Sequence, residues 1–168
     1  MPEVVARVGV GLDPVDVTDP DDARWLRACV WPDQPERVAR LEAELALAAT
    51  APPVLVHGDA VEALPDAVAR VPVDALPVVT TTWALSPFTL ENRLRFLHRL
   101  EEVAAGRTVA WVSAEGVGVA PAIPTLGDRR ASGHSVIGLA VFGREALRAD
   151  AIGRCWSQGR WLAWLVEA

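Results

Sequence analysis

A single Rossmann-like α/β domain, with a mostly parallel sheet flanked by helices and a carboxyl-terminal antiparallel hairpin, is the fold class predicted by the 168 residues. Three observations predict it. Short valine-rich runs alternate with amphipathic stretches of helical length, as parallel strands joined by crossovers require. Acidic residues stand just past the ends of two such runs, in Val10-Gly11-Leu12-Asp13-Pro14 and in Val56-His57-Gly58-Asp59-Ala60. The last two runs are separated only by Ser157-Gln158-Gly159, a hairpin turn.

The elements follow in order. Val4 to Val10 reads as a strand, with Gly9 and Gly11 permitting a turned backbone at its end. Asp19-Pro20-Asp21-Asp22 begins a helix: Asp19 caps, Pro20 suits the first helical position, and the two acids sit at the positive end of the dipole. Pro35 opens a second helix, whose Val38, Leu41, Leu45 and Ala48 form one apolar stripe. Val54 to Val56 is a short strand and Leu64 to Val71 a short helix beyond the Gly58-Asp59 turn. Pro77 to Thr82 is the next strand. Ser86-Pro87 is read as the cap of a long helix with Leu90, Leu94, Leu97, Leu100 and Ala104 on one face, closed by Gly106. Thr108 to Ser113, Ser135 to Phe142, Ala151 to Trp156 and Arg160 to Val166 complete the strands. Between them, Gly116 to His134 has no apolar period and reads as a lid, a binding loop or a disordered segment.

Composition narrows the function. Hydrophobic residues make up 51% and charged residues 23%, so the chain folds around a core. A net charge of -6 disfavours nucleic acid as a partner. All 16 basic residues are Arg; this bias resembles high-GC actinobacterial coding sequence and carries no mechanism. Cys29 and Cys155 are expected to be buried, reduced thiols, and no Cys or His spacing fits a metal. The amino terminus shows neither a signal peptide nor a membrane span, which predicts a cytoplasmic protein that does not enter membranes.

Carboxylates at strand ends accept hydrogen bonds from nucleoside hydroxyls or an adenine amino group, which makes Asp13, Asp16 and Asp59 the candidate cofactor-binding acids. Each has a plainer reading. Asp13 precedes Pro14 in a loop, and Asp59-Ala60-Val61-Glu62 is a capping box. Trp83 offers a ring for stacking but serves equally as a core residue. Glu115 follows a strand and becomes a candidate base if desolvation raises its pKa, against the alternative of a solvated loop carboxylate. His57, His98 and His134 show no metal spacing, and His98 reads as a surface residue. Trp161 and Trp164 lie an odd number of residues apart in a strand and face opposite sides. An oligomer contact, a partner chain or a covering helix is therefore expected. Serine-hydrolase and phosphate-loop motifs are missing from the sequence.

Five blocks carry a resemblance: Trp31-Pro32-Asp33-Gln34-Pro35-Glu36-Arg37, Val56-His57-Gly58-Asp59-Ala60, Thr82-Trp83-Ala84-Leu85, Trp111-Val112-Ser113-Ala114-Glu115 and Gly159-Arg160-Trp161-Leu162-Ala163-Trp164-Leu165. Together they resemble the carboxyl-terminal half of the bacterial family known as domain of unknown function two thousand three hundred and thirty-two. The final hairpin and the acidic strand ends also resemble class I S-adenosylmethionine-dependent methyltransferases. That resemblance implies S-adenosylmethionine as cofactor, methyl transfer to an acceptor the sequence does not identify, a small molecule as a partner, and Thr82 and Trp83 facing the transferred methyl. It also implies a glycine-rich turn ahead of the first strand, which these residues lack, so weak cofactor binding is expected. A noncatalytic interaction module, built on the same sheet and binding no cofactor alone, is the rival expectation.

Overall fold

The computed structural model describes residues 2–130, 133–143, 147–156 and 161–165. The chain divides into two compact units, Met1–Pro72 and Val73–Ala168.

The first unit holds β1 (Val8–Gly11), α1 (Pro20–Ala28), α2 (Pro35–Thr50), β2 (Val54–His57) and α3 (Ala60–Ala69). Strands β1 and β2 are parallel, in register from Val8 opposite Val54 to Gly11 opposite His57. Helix α3 lies against both strands and buries Val61, Ala63, Leu64, Ala67 and Val68. Asp19 caps α1 by accepting from the N–H groups of Asp21 and Asp22, with Pro20 in the first turn as its fixed φ favours. A two-pronged ion pair, Arg27 Nε to Glu42 Oε1 at 2.6 Å and Nη2 to Oε2 at 2.9 Å, ties α1 to α2.

The second unit holds β3 (Val78–Thr82), α4 (Leu90–Val103), β4 (Val109–Gly116), β5 (His134–Phe142), β6 (Arg148–Trp156) and β7 (Leu162–Trp164), in sheet order β3-β4-β5-β6-β7. Residues alternate sharply between faces. Val109, Trp111, Ser113 and Glu115 of β4, with Val136, Ala140 and Phe142 of β5, project to a fully buried face. Phe96 of α4 meets the Trp111 ring edge-on there, with centroids 5.7 Å apart.

The fold is therefore mixed α/β, with two sheets and four helices among the described residues. It departs from the expectation of one mostly parallel sheet. Only β1–β2 and β3–β4 are parallel; β4, β5, β6 and β7 pair antiparallel in succession. The reason lies in the connections: a parallel neighbour needs a long crossover such as α4, and no helix lies between β4 and β7 among the described residues. Strand β1 begins at Val8 rather than Val4, and α4 is capped by Thr89, whose hydroxyl accepts from the Asn92 N–H, rather than by Ser86. Cys29 is exposed, not buried: it is the C-cap residue just past the end of α1. The Ser157-Gln158-Gly159 turn lies outside the described residues.

The segment after β4 also differs from a free loop. Val117, Ala120 and Ile123 are buried, and successive turns are closed by Val119 N–H to Gly116 O and Ile123 N–H to Ala120 O. A Cβ on Gly138 would stand 2.5 Å from Ile123, so the bare glycine on β5 is the seat into which that isoleucine fits.

Candidate functional site

Two of the candidate residues converge where β3 and β4 end. The Trp83 N–H donates to Ala114 O at 3.1 Å, the last rung of the β3–β4 ladder. Trp83 then takes φ 55°, a left-handed conformation that costs a bulky residue energy and that persists only where the surroundings impose it. Its indole N–H donates to Ser135 Oγ at 2.8 Å, while the residue remains 45% exposed. Thr82, the other candidate at this end, is exposed.

Glu115 is 1% exposed, and its Oε1 accepts from the backbone N–H groups of Ala84 at 3.1 Å and Leu85 at 3.2 Å. Burial pushes its carboxyl above the ordinary glutamate value, opposed by those backbone donors, by the Thr81 hydroxyl and by the charge of Arg93. From α4, Arg93 donates through Nε to Leu85 O at 3.0 Å and through Nη2 to Ser86 O at 2.9 Å. Three buried side-chain oxygens have no protein partner among the described residues: Ser86 Oγ, Ser113 Oγ and Glu115 Oε2. Glu115 also lines a small pocket with Gly116, Gly118, Ala120, Ile123, Pro124 and Val136. On the neighbouring strands, the Trp111 indole N–H donates to Thr81 Oγ1 at 3.1 Å.

A second polar cluster sits close by in the chain, at the start of β5. Asp128 Oδ2 receives His134 Nε2 at 2.9 Å and Arg154 Nε at 2.6 Å, and its Oδ1 receives Arg154 Nη2 at 3.1 Å. The Arg154 hydrogen bonds, followed by that of His134, hold the Asp128 carboxyl down at about 2. The turn that aims it, Thr125 to Asp128, closes with Asp128 N–H to Thr125 O and carries two successive positive φ values, at Leu126 and Gly127.

The remaining candidates lie in the first unit. Gly58 N–H donates to Gly11 O at 2.9 Å, which sets the turns after β1 and β2 side by side. Asp59 caps α3, with Oδ1 accepting from Val61 N–H at 2.9 Å and Glu62 N–H at 3.4 Å. Asp16 Oδ1 accepts from both the backbone and the hydroxyl of Thr18, which lowers its pKa. Asp13 is exposed and makes no side-chain hydrogen bond among the described residues. So Thr82, Trp83 and Glu115 share one unit, and Asp13, Asp16 and Asp59 share the other.

Arg93, Asp128, Ser135 and Arg154 were not among the residues singled out from sequence. Arg93 acts on backbone carbonyls seven and eight positions away, and Asp128 and Arg154 meet only because β5 and β6 pair, so no local spacing announces either. Among the described residues no group of three or more His, Cys, Asp or Glu side chains is placed to hold a metal, and no helix is long and apolar enough to cross a membrane.

No curated protein and no solved structure matches the chain. One family does: that described as an uncharacterized protein conserved in bacteria, DUF2332, whose sequence profile matches residues 1–164. With essentially its whole length matched, the chain belongs to the DUF2332 family.

Proposed function

We propose that this chain is a methyltransferase-like protein that holds the nucleoside end of S-adenosylmethionine and transfers methyl to a small-molecule acceptor. The observation that carries the reading is the pair of turns after β1 and β2, joined by the Gly58 N–H to Gly11 O bond and each followed by an aspartate. Vicinal ribose hydroxyls are met by a carboxylate with free lone pairs. Asp59 and Asp16 each commit Oδ1 to nearby N–H or hydroxyl groups, whereas Asp13 has both oxygens open. In this reading Asp13 is the ribose's principal acceptor, with Asp59 as a second through its uncommitted oxygen. The cofactor, when bound, supplies an electrophilic methyl group. In the second unit taken by itself, Trp83 is half-exposed with its N–H already satisfied, which leaves its ring available for stacking beside Thr82.

Titration calorimetry with S-adenosylmethionine and its demethylated product tests the reading. The turns at Gly11 and Gly58 bear single glycines and provide few backbone donors for the amino-acid end, so a dissociation constant in the high micromolar range is expected. Asp13→Ala should weaken binding by roughly tenfold, the value of one hydrogen bond to a charged group. Binding that ignores both Asp13→Ala and Asp59→Ala would remove these residues from the site, and absent binding at millimolar ligand would remove the cofactor.

The rival reading, a noncatalytic interaction module, is favoured by one observation. The three-residue edge strand β7 exposes Leu162 and Trp164 between the equally exposed Trp161 and Leu165. Unpaired edges with large apolar residues invite pairing with another chain. Sedimentation equilibrium of the wild-type chain and of Trp164→Ser decides it: a self-associating species abolished by the substitution supports the module, and a monomer at all concentrations rules out a homo-oligomer.

A further inference from the structure

We infer that Glu115 is a positioning residue: its carboxyl and the Arg93 guanidinium clamp the Ala84-Leu85-Ser86 turn from opposite polar sides, and so fix the left-handed backbone of Trp83. This goes beyond the reading above and does not rest on it: what the clamp fixes is the placing of the Trp83 ring within its own unit. The geometry itself needs no ligand.

Four backbone groups of the turn are held by the two side chains, and Leu85 O also accepts from the Phe88 N–H. Glu115 Oε1 collects the N–H groups of Ala84 and Leu85, and Arg93 supplies donors to the carbonyls of Leu85 and Ser86. Leu85 itself is 1% exposed, so its own N–H and carbonyl depend on these protein partners. On the other side of Trp83, the backbone is pinned by the bond from its N–H to Ala114 O. With the chain held on both flanks, φ 55° is the conformation left to a residue that would not choose it. The indole is then locked by Ser135, a residue with no exposed surface.

A proton-transfer role fits Glu115 less well. One oxygen is spent on two backbone donors, and the residue is 1% exposed. A clamp requires only an acceptor oxygen at that place, and both the protonated acid and an amide provide one. The groups facing the carboxyl are Arg93 from α4, the Thr81 hydroxyl from β3 and the two turn N–H groups. Burial raises its pKa, so the folded state prefers the proton: stability attributable to this group is complete below the ordinary glutamate range and is lost as pH rises through the raised value.

The test compares Glu115→Gln, Glu115→Ala and Arg93→Gln in the full chain. It follows the Trp83 indole N–H resonance, identified by its loss in Trp83→Phe, without ligand. Glu115→Gln should keep the wild-type chemical shift and exchange rate. Its melting temperature should gain on the wild type as pH rises. Glu115→Ala and Arg93→Gln should move the resonance toward that of a free indole and speed its exchange by tenfold or more. Should Glu115→Ala fail to fold, the Gln and Arg93 variants still decide the matter. A Gln variant as perturbed as the Ala variant, or an unmoved resonance in Arg93→Gln, overturns the clamp. Loss of S-adenosylmethionine binding in the wild type speaks against the proposed function alone, because no part of this readout uses it.

Discussion

Two strand ends of this molecule carry the same sequence signal and use it in opposite ways. After β2, Asp59 stands in the open and caps α3; at the last rungs of β4, Glu115 is sealed inside and holds the turn that follows its neighbour strand. The difference is one of dielectric and company. An exposed cap accepts from N–H groups within three residues of itself and keeps its second oxygen in water. A buried carboxyl must find its donors across thirty residues of sequence, and the cost of desolvating it is recovered only if those donors and a cation such as Arg93 are in place. An acidic residue past a strand is therefore a statement about position, and burial decides its chemistry.

The largest effect that would break the comparison lies in the sheet beneath Glu115. Trp111 has no exposed surface, packs edge-on against Phe96 and donates its N–H to Thr81. Trp111→Ala should cost ~3–5 kcal/mol, the range for large aromatic truncations in a core. Urea unfolding should show it. A cost below ~1 kcal/mol would mean that this end of the sheet is not the rigid region from which the clamp draws its geometry.

Much of this was legible in advance, and the failures share a cause. The caps at Asp19 and Asp59, the Pro35 start of α2 and the order of the strands follow from local rules that act within a few residues, although β1 begins at Val8 and β6 at Arg148 rather than at Val4 and Ala151. The antiparallel run β4-β5-β6-β7 was only half visible, because pairing direction is set by what connects the strands. The long aperiodic segment after β4 reads in sequence as a lid, a binding loop or a disordered segment, and its first half packs down through Val117, Ala120 and Ile123. Its apolar residues at 117, 120 and 123 belong to no regular element, and the seat for Ile123 is the absence of a side chain at Gly138, a signal that exists only across space. For the same reason Glu115 and Trp83 were named without their partners Arg93 and Ser135.

The Ile123 seat gives the next effect in size. A methyl on Gly138 would approach Ile123 Cγ1, Cδ1 and Cγ2 to 2.5, 2.6 and 2.7 Å, too close without displacement. Gly138→Ala should destabilise by ~1–3 kcal/mol, as overpacking does. In an Ile123→Ala background the same change should cost less than in the wild type, which a double-mutant cycle measures. Equal costs in both backgrounds would show that the segment after β4 does not rest on β5.

At the exposed end, Asp59→Ala removes a cap and should cost ~1 kcal/mol, while Asp13→Ala, which breaks no hydrogen bond, should stay within ~0.5 kcal/mol. Thermal unfolding of the two variants separates the roles. Equal losses would mean that Asp13 has a structural partner after all, and would weaken its assignment to a ribose.

The contrast that most sharpens the comparison belongs to Asp128. It stands between the two cases: partly exposed like Asp59, yet joined to distant residues like Glu115. Its carboxyl is held at about 2 against an ordinary 3.8, first by Arg154 and then by His134. A depressed pKa means that the unfolded chain takes up the proton first as pH falls. The stability this group contributes is therefore present above the ordinary value and is lost between about 3.8 and about 2. Asp128→Asn should flatten the acid limb of the melting-temperature profile in that window, whereas Glu115→Gln changes the profile on the other side of the ordinary carboxylate range, where raising the pH discharges a proton that burial favours. Two carboxylates at neighbouring places in one unit should thus bend the same curve in opposite senses. A single acid limb untouched by Asp128→Asn would show that the contacts with Arg154 and His134 do not persist in solution.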